Sequence, residues 1–305
     1  MATDSGCRVT RTAGTDVYGT AVEVGKATFP ASRTEVLASG DAAHVIDAVT
    51  AAPYARTLRA PLLLTAVATL PDVVTADLQR RGATQVIVVG GPGAVSASVT
   101  AALGRLGVRV TRVAGKDRYA TAALLAARIG GAKREIVVAS GADPSLSDAL
   151  LAAGPAAGLG LPVLLTGPTS VPAVTLAALR SLGSGRATVT LVGTTSTVSP
   201  AVQRVLRSKA RTLRRVAGAN PAATAVALAA TYVVRLGAGG VVLVDAGAPV
   251  TTLAAGTLGR VLLLTGTSAL PPATRSWLAG HPGTRVRVVA GPTLITPDVI
   301  ATIGR

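Results

Sequence analysis

Cysteine occurs once in 305 residues, at Cys7, which excludes an intramolecular disulfide and any metal centre built on cysteines. Histidine is almost as scarce. His44 and His281 stand far apart, one in a turn and one beside Pro282, and make neither a metal pair nor a convincing triad. Aromatics amount to 2% of the chain, which weighs against recognition of bases or sugars on stacked rings. With 49% hydrophobic residues and a mean hydropathy of +0.53, the interior has to be built from Ala, Val and Leu. Acids are nearly missing from the second half. Residues 149–305 hold only Asp245 and Asp298 against 14 basic groups, whereas residues 1–148 hold 12 acids and 16 bases.

The resulting net charge of +16, carried by 26 Arg and 4 Lys, attracts polyanions, and Arg in particular forks onto phosphate or carboxylate. A proteome-wide Arg bias with solvated charges would look the same. The run from Ala149 to Leu179 has no charge and is long enough to span a bilayer. However, Pro155, Pro162, Pro168, Pro172 and four glycines interrupt it, and its counterparts carry Arg56, Arg59 and Arg260, so a membrane span is rejected. The residues before Cys7 show no basic and then apolar leader. If the protein is exported, its leader is expected to lie outside this sequence.

What is present is a repeat. Arg11-Thr-Ala-Gly-Thr-Asp-Val-Tyr-Gly-Thr-Ala21 returns as Arg112-Val-Ala-Gly-Lys-Asp-Arg-Tyr-Ala-Thr-Ala122 and as Arg215-Val-Ala-Gly-Ala-Asn-Pro-Ala-Ala-Thr-Ala225. Further markers follow in the same order. Ser39-Gly40 and Ser140-Gly141 are matched with Ala246-Gly247. Leu62–Thr65, Val163–Thr166 and Leu262–Thr265 come next, then Val88–Gly91, Leu191–Thr194 and Val288–Gly291. Three units follow: residues 1–111, 112–214 and 215–305.

Short, continuously apolar Val/Leu/Ile runs alternate with Ala-rich amphipathic segments, which predicts parallel strands covered on both faces. In the second copy the strands are expected near Thr111–Ala114, Ile136–Ala139, Val163–Leu165 and Thr188–Val192. Helices are expected near Thr121–Ile129, Ser147–Ala157, Pro172–Leu182 and Pro200–Ser208, with Ser147 as an N-cap. The fold class is thus α/β: three tandem Rossmann- or flavodoxin-like parallel-sheet units, one sheet per repeat, closing most simply into a pseudo-threefold, trimer-like arrangement.

The motif Arg-x-x-Gly-x-Asp-Arg-Tyr-x-Thr-Ala, followed by Ala-Ser-Gly, Asp-Ala-Leu, Pro-Val-Leu-Leu-Thr and Val-Gly-Gly-x-x-Ala-Val-Ser, resembles the cell wall binding repeat 2 family of Gram-positive surface proteins. The resemblance covers nearly the whole chain. It implies three Rossmann-like units and non-covalent attachment to an anionic wall polymer, usually beside a separate effector domain. Copy one departs from the motif at Val17. Copy three has Asn220-Pro221-Ala222 for Asp-Arg-Tyr and lacks a clear Asp in its second helix.

The candidate ligand residues are Arg112, Asp117, Arg118, Tyr119 and Thr121, their counterparts Arg11, Asp16 and Thr20, and Arg215, Asp47 and Asp148. Arginines and helix N-terminal amides suit a phosphate or carboxylate. Each residue also has a purely structural reading: Gly for the turn, Asp117 as a cap, Arg112 paired across a repeat boundary, Asp47 and Asp148 favouring their own helix ends. The basic stretch Gln203–Arg215 reads either as a polyanion strip or as a solvated face. Gly90-Gly91-Pro-Gly93-Ala-Val-Ser96 imitates a dinucleotide loop but has Ser96 for its third glycine, and the equivalent loops lose the spacing.

These readings converge on a non-catalytic, secreted, surface-anchoring protein with no cofactor and no metal. Its expected partner is a teichoic-acid-like or other secondary wall glycopolymer, and its expected place is the cell wall. A structural surface-layer protein, a nucleotide binder and a charge-driven, non-specific nucleic-acid binder are the alternatives.

Overall fold

The structure, a computed structural model, describes residues 6–130, 134–142, 146–183 and 185–303. The first repeat runs β1 (Arg8–Thr12), α1 (Val17–Thr28), β2 (Thr34–Ser39), α2 (Val45–Ala48), α3 (Ala51–Thr57), β3 (Leu62–Thr65), α4 (Asp72–Arg81), β4 (Gln85–Val89) and α5 (Ala97–Arg105). The second runs β5 (Arg109–Val113), α6 (Arg118–Ile129), β6 (Glu135–Ser140), α7 (Ser147–Leu159), β7 (Val163–Thr166), α8 (Ala173–Gly183), β8 (Thr188–Val192) and α9 (Pro200–Arg207). The third runs β9 (Thr212–Val216), α10 (Pro221–Leu236), β10 (Val241–Asp245), α11 (Pro249–Ala255), β11 (Leu262–Thr265), α12 (Pro272–Ala279), β12 (Arg285–Val289) and α13 (Pro297–Ala301).

These strands form three parallel four-stranded sheets of identical order: β3-β2-β4-β5, β7-β6-β8-β9 and β11-β10-β12-β1. The sheets are therefore out of step with the sequence repeat by one strand. A short βαβ step through α5 lays β5 beside β4, and α9 lays β9 beside β8. Each repeat thus gives its first strand to the sheet before it. The first strand, β1, completes the third sheet, pairing with β12 from Arg8↔Arg285 to Thr12↔Val289.

Backbone pairing also corrects one sequence equivalence. Ser39 and Ser140 pair with Thr65 and Thr166, and the residue that pairs with Thr265 is Asp245. The counterpart of Gly40 and Gly141 is thus Ala246, not Gly247. All three donate their amides to that threonine carbonyl, at 2.7, 2.8 and 2.8 Å. Local differences are small. Asp117 caps α6, so the helix starts at Arg118 rather than Thr121, and Leu146, not Ser147, holds the cap position of α7.

One apolar cluster runs through all three repeats, and smaller ones line the outer faces of the first two sheets. Each buried Val or Leu contributes roughly 1.5–3 kcal/mol. At the centre, α3, α7 and α11 with its following turn Gly256–Leu258 pack together. Residues 148–157 of α7 are all buried there, and Cβ atoms at Gly154 and Gly158 would strike the backbone of Arg260 and Gly259. This explains the uncharged stretch: α7 is a core helix, and no described helix is long and apolar enough to cross a membrane.

Candidate functional site

The repeated motif is a strand-to-helix turn built the same way three times. Side-chain oxygens of Asp16, Asp117 and Asn220 accept from the amides of Gly19, Ala120 and Ala223 at 2.7, 2.8 and 2.9 Å, capping α1, α6 and α10. The buried hydroxyls of Thr20, Thr121 and Thr224 accept from the amides of Gly14, Gly115 and Gly218 at 3.0, 2.9 and 2.9 Å. A Cβ on any of these glycines would run into the helix that follows. Asn220 caps as well as the two aspartates do, so this role needs an oxygen acceptor and not a charge.

Each motif arginine clamps the repeat whose sheet its own strand joins. Arg112 donates to the carbonyls of Gly90 and Val95 at 2.6 and 2.9 Å. Arg215 donates to Gly193 and Val198 at 2.6 and 2.9 Å, and Arg11 to Ala290 and Ile295 at 2.6 and 2.7 Å. In each case the guanidinium forks onto backbone carbonyls; Arg215 also donates to the Gln203 side-chain oxygen at 2.9 Å and is attracted by the charge of Asp148. Burial lowers the pKa of all three guanidinium groups, which nevertheless stay charged. The Gly90–Ser96 loop is thus gripped by Arg112, and the Ser96 amide donates to the Val67 carbonyl.

Arg118 donates to the Gly141 carbonyl at 2.8 Å, while the Tyr119 ring lies against Gly141. Asp148 sits in the first turn of α7 and accepts from the Thr197 hydroxyl at 2.9 Å. The structure therefore brings Asp148 and Arg215 to one loop, residues 193–198, beyond the ends of β6 and β8 where the strand order reverses. Asp245 accepts from the Gly247 amide and the Thr267 hydroxyl at 2.6 and 3.2 Å. Asp47 falls in α2, and its side chain lies outside the described residues. The Gln203–Arg215 stretch divides its charges: Arg204 and Arg207 are exposed, Arg214 binds Glu135, and Arg215 is a clamp.

At the amino ends of the strands the three seams between repeats differ, a difference that no local sequence pattern signals. Equivalent strand positions hold the pairs Thr111↔Ile87, Arg214↔Thr190 and Thr10↔Arg287. The helical residues twelve past the caps are Ile129, Tyr232 and Thr28. In the first seam Ile87 and Ile129 are buried apolar filler. In the second, Glu135 accepts from Arg214, Arg235, Tyr232 and Thr190 at 2.6, 2.6, 2.7 and 2.8 Å. Burial would raise the Glu135 carboxyl, but those donors outweigh it and hold its pKa below the usual range.

The third seam, between β12 and β1, is open. A groove of about 720 Å³ there is lined by Arg8, Arg56, Arg59, Arg260, Arg285 and Arg287, with Phe29 among them. Gly240 stands where Glu135 stands in the second seam. Among the described residues, none of the six arginines forms an ion pair with a carboxylate. The Arg56 guanidinium lies 5.8 Å from the Phe29 ring centre, and burial and then the charge of Arg260 lower its pKa. No group of His, Cys, Asp and Glu suited to a metal occurs among the described residues.

The family profile described as "Cell wall binding domain 2 (CWB2)" matches residues 11–100 and 112–203, more than half of the chain. The chain belongs to the cell wall binding domain 2 family. The third repeat lies outside the match, yet its sheet has the same strand order as the other two. The N-acetylmuramoyl-L-alanine amidase LytC of Bacillus subtilis (strain 168) is 32% identical over 217 residues, covering 70% of this chain and 40% of that protein. The amidase enhancer of the same organism is 29% identical over 210 residues, 69% of this chain and 28% of that protein.

Among solved structures, Cwp6 and Cwp8 from Clostridium difficile superpose with TM-scores of 0.89 and 0.82 at 24% identity. They share the fold over 98% and 97% of this chain, which spans 48% and 51% of theirs. Membership of this family makes cell wall binding the function class and the wall or cell surface its place.

Proposed function

We propose that the chain is a non-catalytic attachment module that holds an anionic glycopolymer of the cell wall, teichoic-acid-like or another secondary wall polymer. The match of its repeats to a cell wall binding family carries this reading. The excess of 30 basic over 14 acidic groups selects an anionic partner. The chain covers less than half of the amidase and of its enhancer, in keeping with a module that accompanies separate activities.

In this reading the three repeats are related by a pseudo-threefold axis near α3, α7 and α11. The motif residues Arg11, Asp16, Thr20, Arg112, Asp117, Arg118, Tyr119, Thr121 and Arg215, with Asp47 and Asp148, hold the framework and shape the loops that face the polymer. Contact with it falls to arginines that are clustered together with no carboxylate among them, through many weak, salt-sensitive contacts. Purified chain is expected to sediment with polymer-bearing walls and to remain in solution once the polymer is chemically stripped. Equal retention on both preparations would overturn the reading.

A further inference from the structure

The three seams occupy equivalent places in the fold, and the chain treats them differently. One is filled by isoleucines, one by a Glu135–Tyr232–Arg214–Arg235 cluster that holds its own counter-charge, and one is left open with six arginines lining it. Like charges gathered without a counter-charge repel one another, so this groove is an arrangement that an anion would stabilise. Arg8, Arg59 and Arg285 are exposed, and Arg56, Arg260 and Arg287 are half-buried, so the charges line both the mouth and the wall. The volume of about 720 Å³ is that of a site for a ligand of small-molecule size, within the usual range of about 300–1,000 Å³.

We propose that the β1/β12 groove is a subsite for a short stretch of linear polyanion, a few phosphate- or carboxylate-bearing sugar units long. The choice of a wall glycan rests on the attachment reading above. A nucleic acid fits less well. Phe29 is the one aromatic side chain lining the groove and Arg56 already lies near its face, so no platform is left for successive bases, whose stacking supplies much of single-strand affinity. Guanidinium forks suit phosphate and carboxylate equally, and the probes below separate the two. Because β1 and β12 come from opposite ends of the sequence, the subsite exists only when the chain has closed on itself.

Tripolyphosphate and trigalacturonate are titrated into the full chain by calorimetry, alongside three variants whose folding is checked by thermal unfolding. The groove variant Arg8→Ala/Arg285→Ala/Arg287→Ala is expected to lose affinity for the preferred probe about tenfold or more. The charge-matched control Arg180→Ala/Arg186→Ala/Arg275→Ala, at exposed arginines outside both the groove and the 203–215 stretch, is expected to lose less than about twofold. Thr28→Tyr, which fills the groove as Tyr232 fills its own seam, is expected to weaken binding with no change of charge. Equal loss in groove and control variants, or no binding of either probe by the unmodified chain, overturns the subsite. A single-stranded oligonucleotide of equal charge that binds more tightly than both probes overturns the choice of a glycan.

The same proteins are then sedimented with cell walls. A groove variant retained as well as the unmodified chain refutes the groove as the wall subsite and leaves the attachment reading intact. An unmodified chain that stays in solution defeats the attachment reading, and the titration alone then decides the groove.

Discussion

A Cβ placed on Gly141 would stand 3.0 Å from Cε1 of Tyr119, and one on Gly40 would stand 2.8 Å from Cε1 of Tyr18. In the third repeat both members change together: Ala222 takes the Tyr position and Ala246 the Gly position. The motif tyrosine and the glycine at the next strand's end are therefore one packing unit. Gly141→Ala is expected to cost about 1–3 kcal/mol by overpacking, and much less in a Tyr119→Ala background. A denaturant double-mutant cycle measures the coupling, and strictly additive costs would dissolve the unit.

The Arg112 clamp needs a planar fork to reach Gly90 and Val95 at once. Arg112→Lys keeps the charge but leaves a carbonyl short of a donor, for an expected loss of about 2 kcal/mol. Limited proteolysis should show faster cleavage near residues 90–96. Unchanged stability and cleavage would mean that the clamp contributes little.

Asp117→Asn copies what Asn220 already does in the third repeat. Stability should stay within about 0.5 kcal/mol, whereas Asp117→Ala should cost about 1 kcal/mol through the lost cap. Thermal unfolding tests both. Should the Asn variant fold normally yet leave the wall fraction, the carboxylate would have a ligand role beyond its cap.

Glu35 supplies a pH signature. Its side chain is fully buried, and its carboxylate oxygens have no hydrogen-bond partner among the described residues. Arg81 lies 3.9 Å away but is engaged by Asp77 at 2.6 Å. Burial pushes the Glu35 carboxyl up to about 8, Arg81 pulling it down and Asp77 pushing it up. The folded state therefore keeps a proton that the unfolded chain releases near pH 4.5. Stability from this group is greatest below about pH 4.5, falls as pH rises towards about 8, then levels off. Glu35→Gln should flatten that slope in denaturant titrations between about pH 5 and 8; an identical slope in the variant would assign the dependence elsewhere.

The sequence by itself determined the repeat, the α/β class, most strand and helix positions, and the residues of the motif turn, because strand period, helix caps and tight turns are coded within about a dozen neighbouring residues. It also carried the family, since Gly115, Asp117 and Thr121 meet within one turn. Tertiary structure decided the rest. The strand offset, the true counterpart of Gly141 and the jobs of the motif arginines depend on which strands pair. Arg8 and Arg285 are neighbours only because β1 closes on β12, and their separation along the chain hides the basic groove from any local pattern. The physical reason is that hydrogen-bonded sheet pairing, unlike a turn, joins residues whose distance in sequence sets no limit on their distance in space.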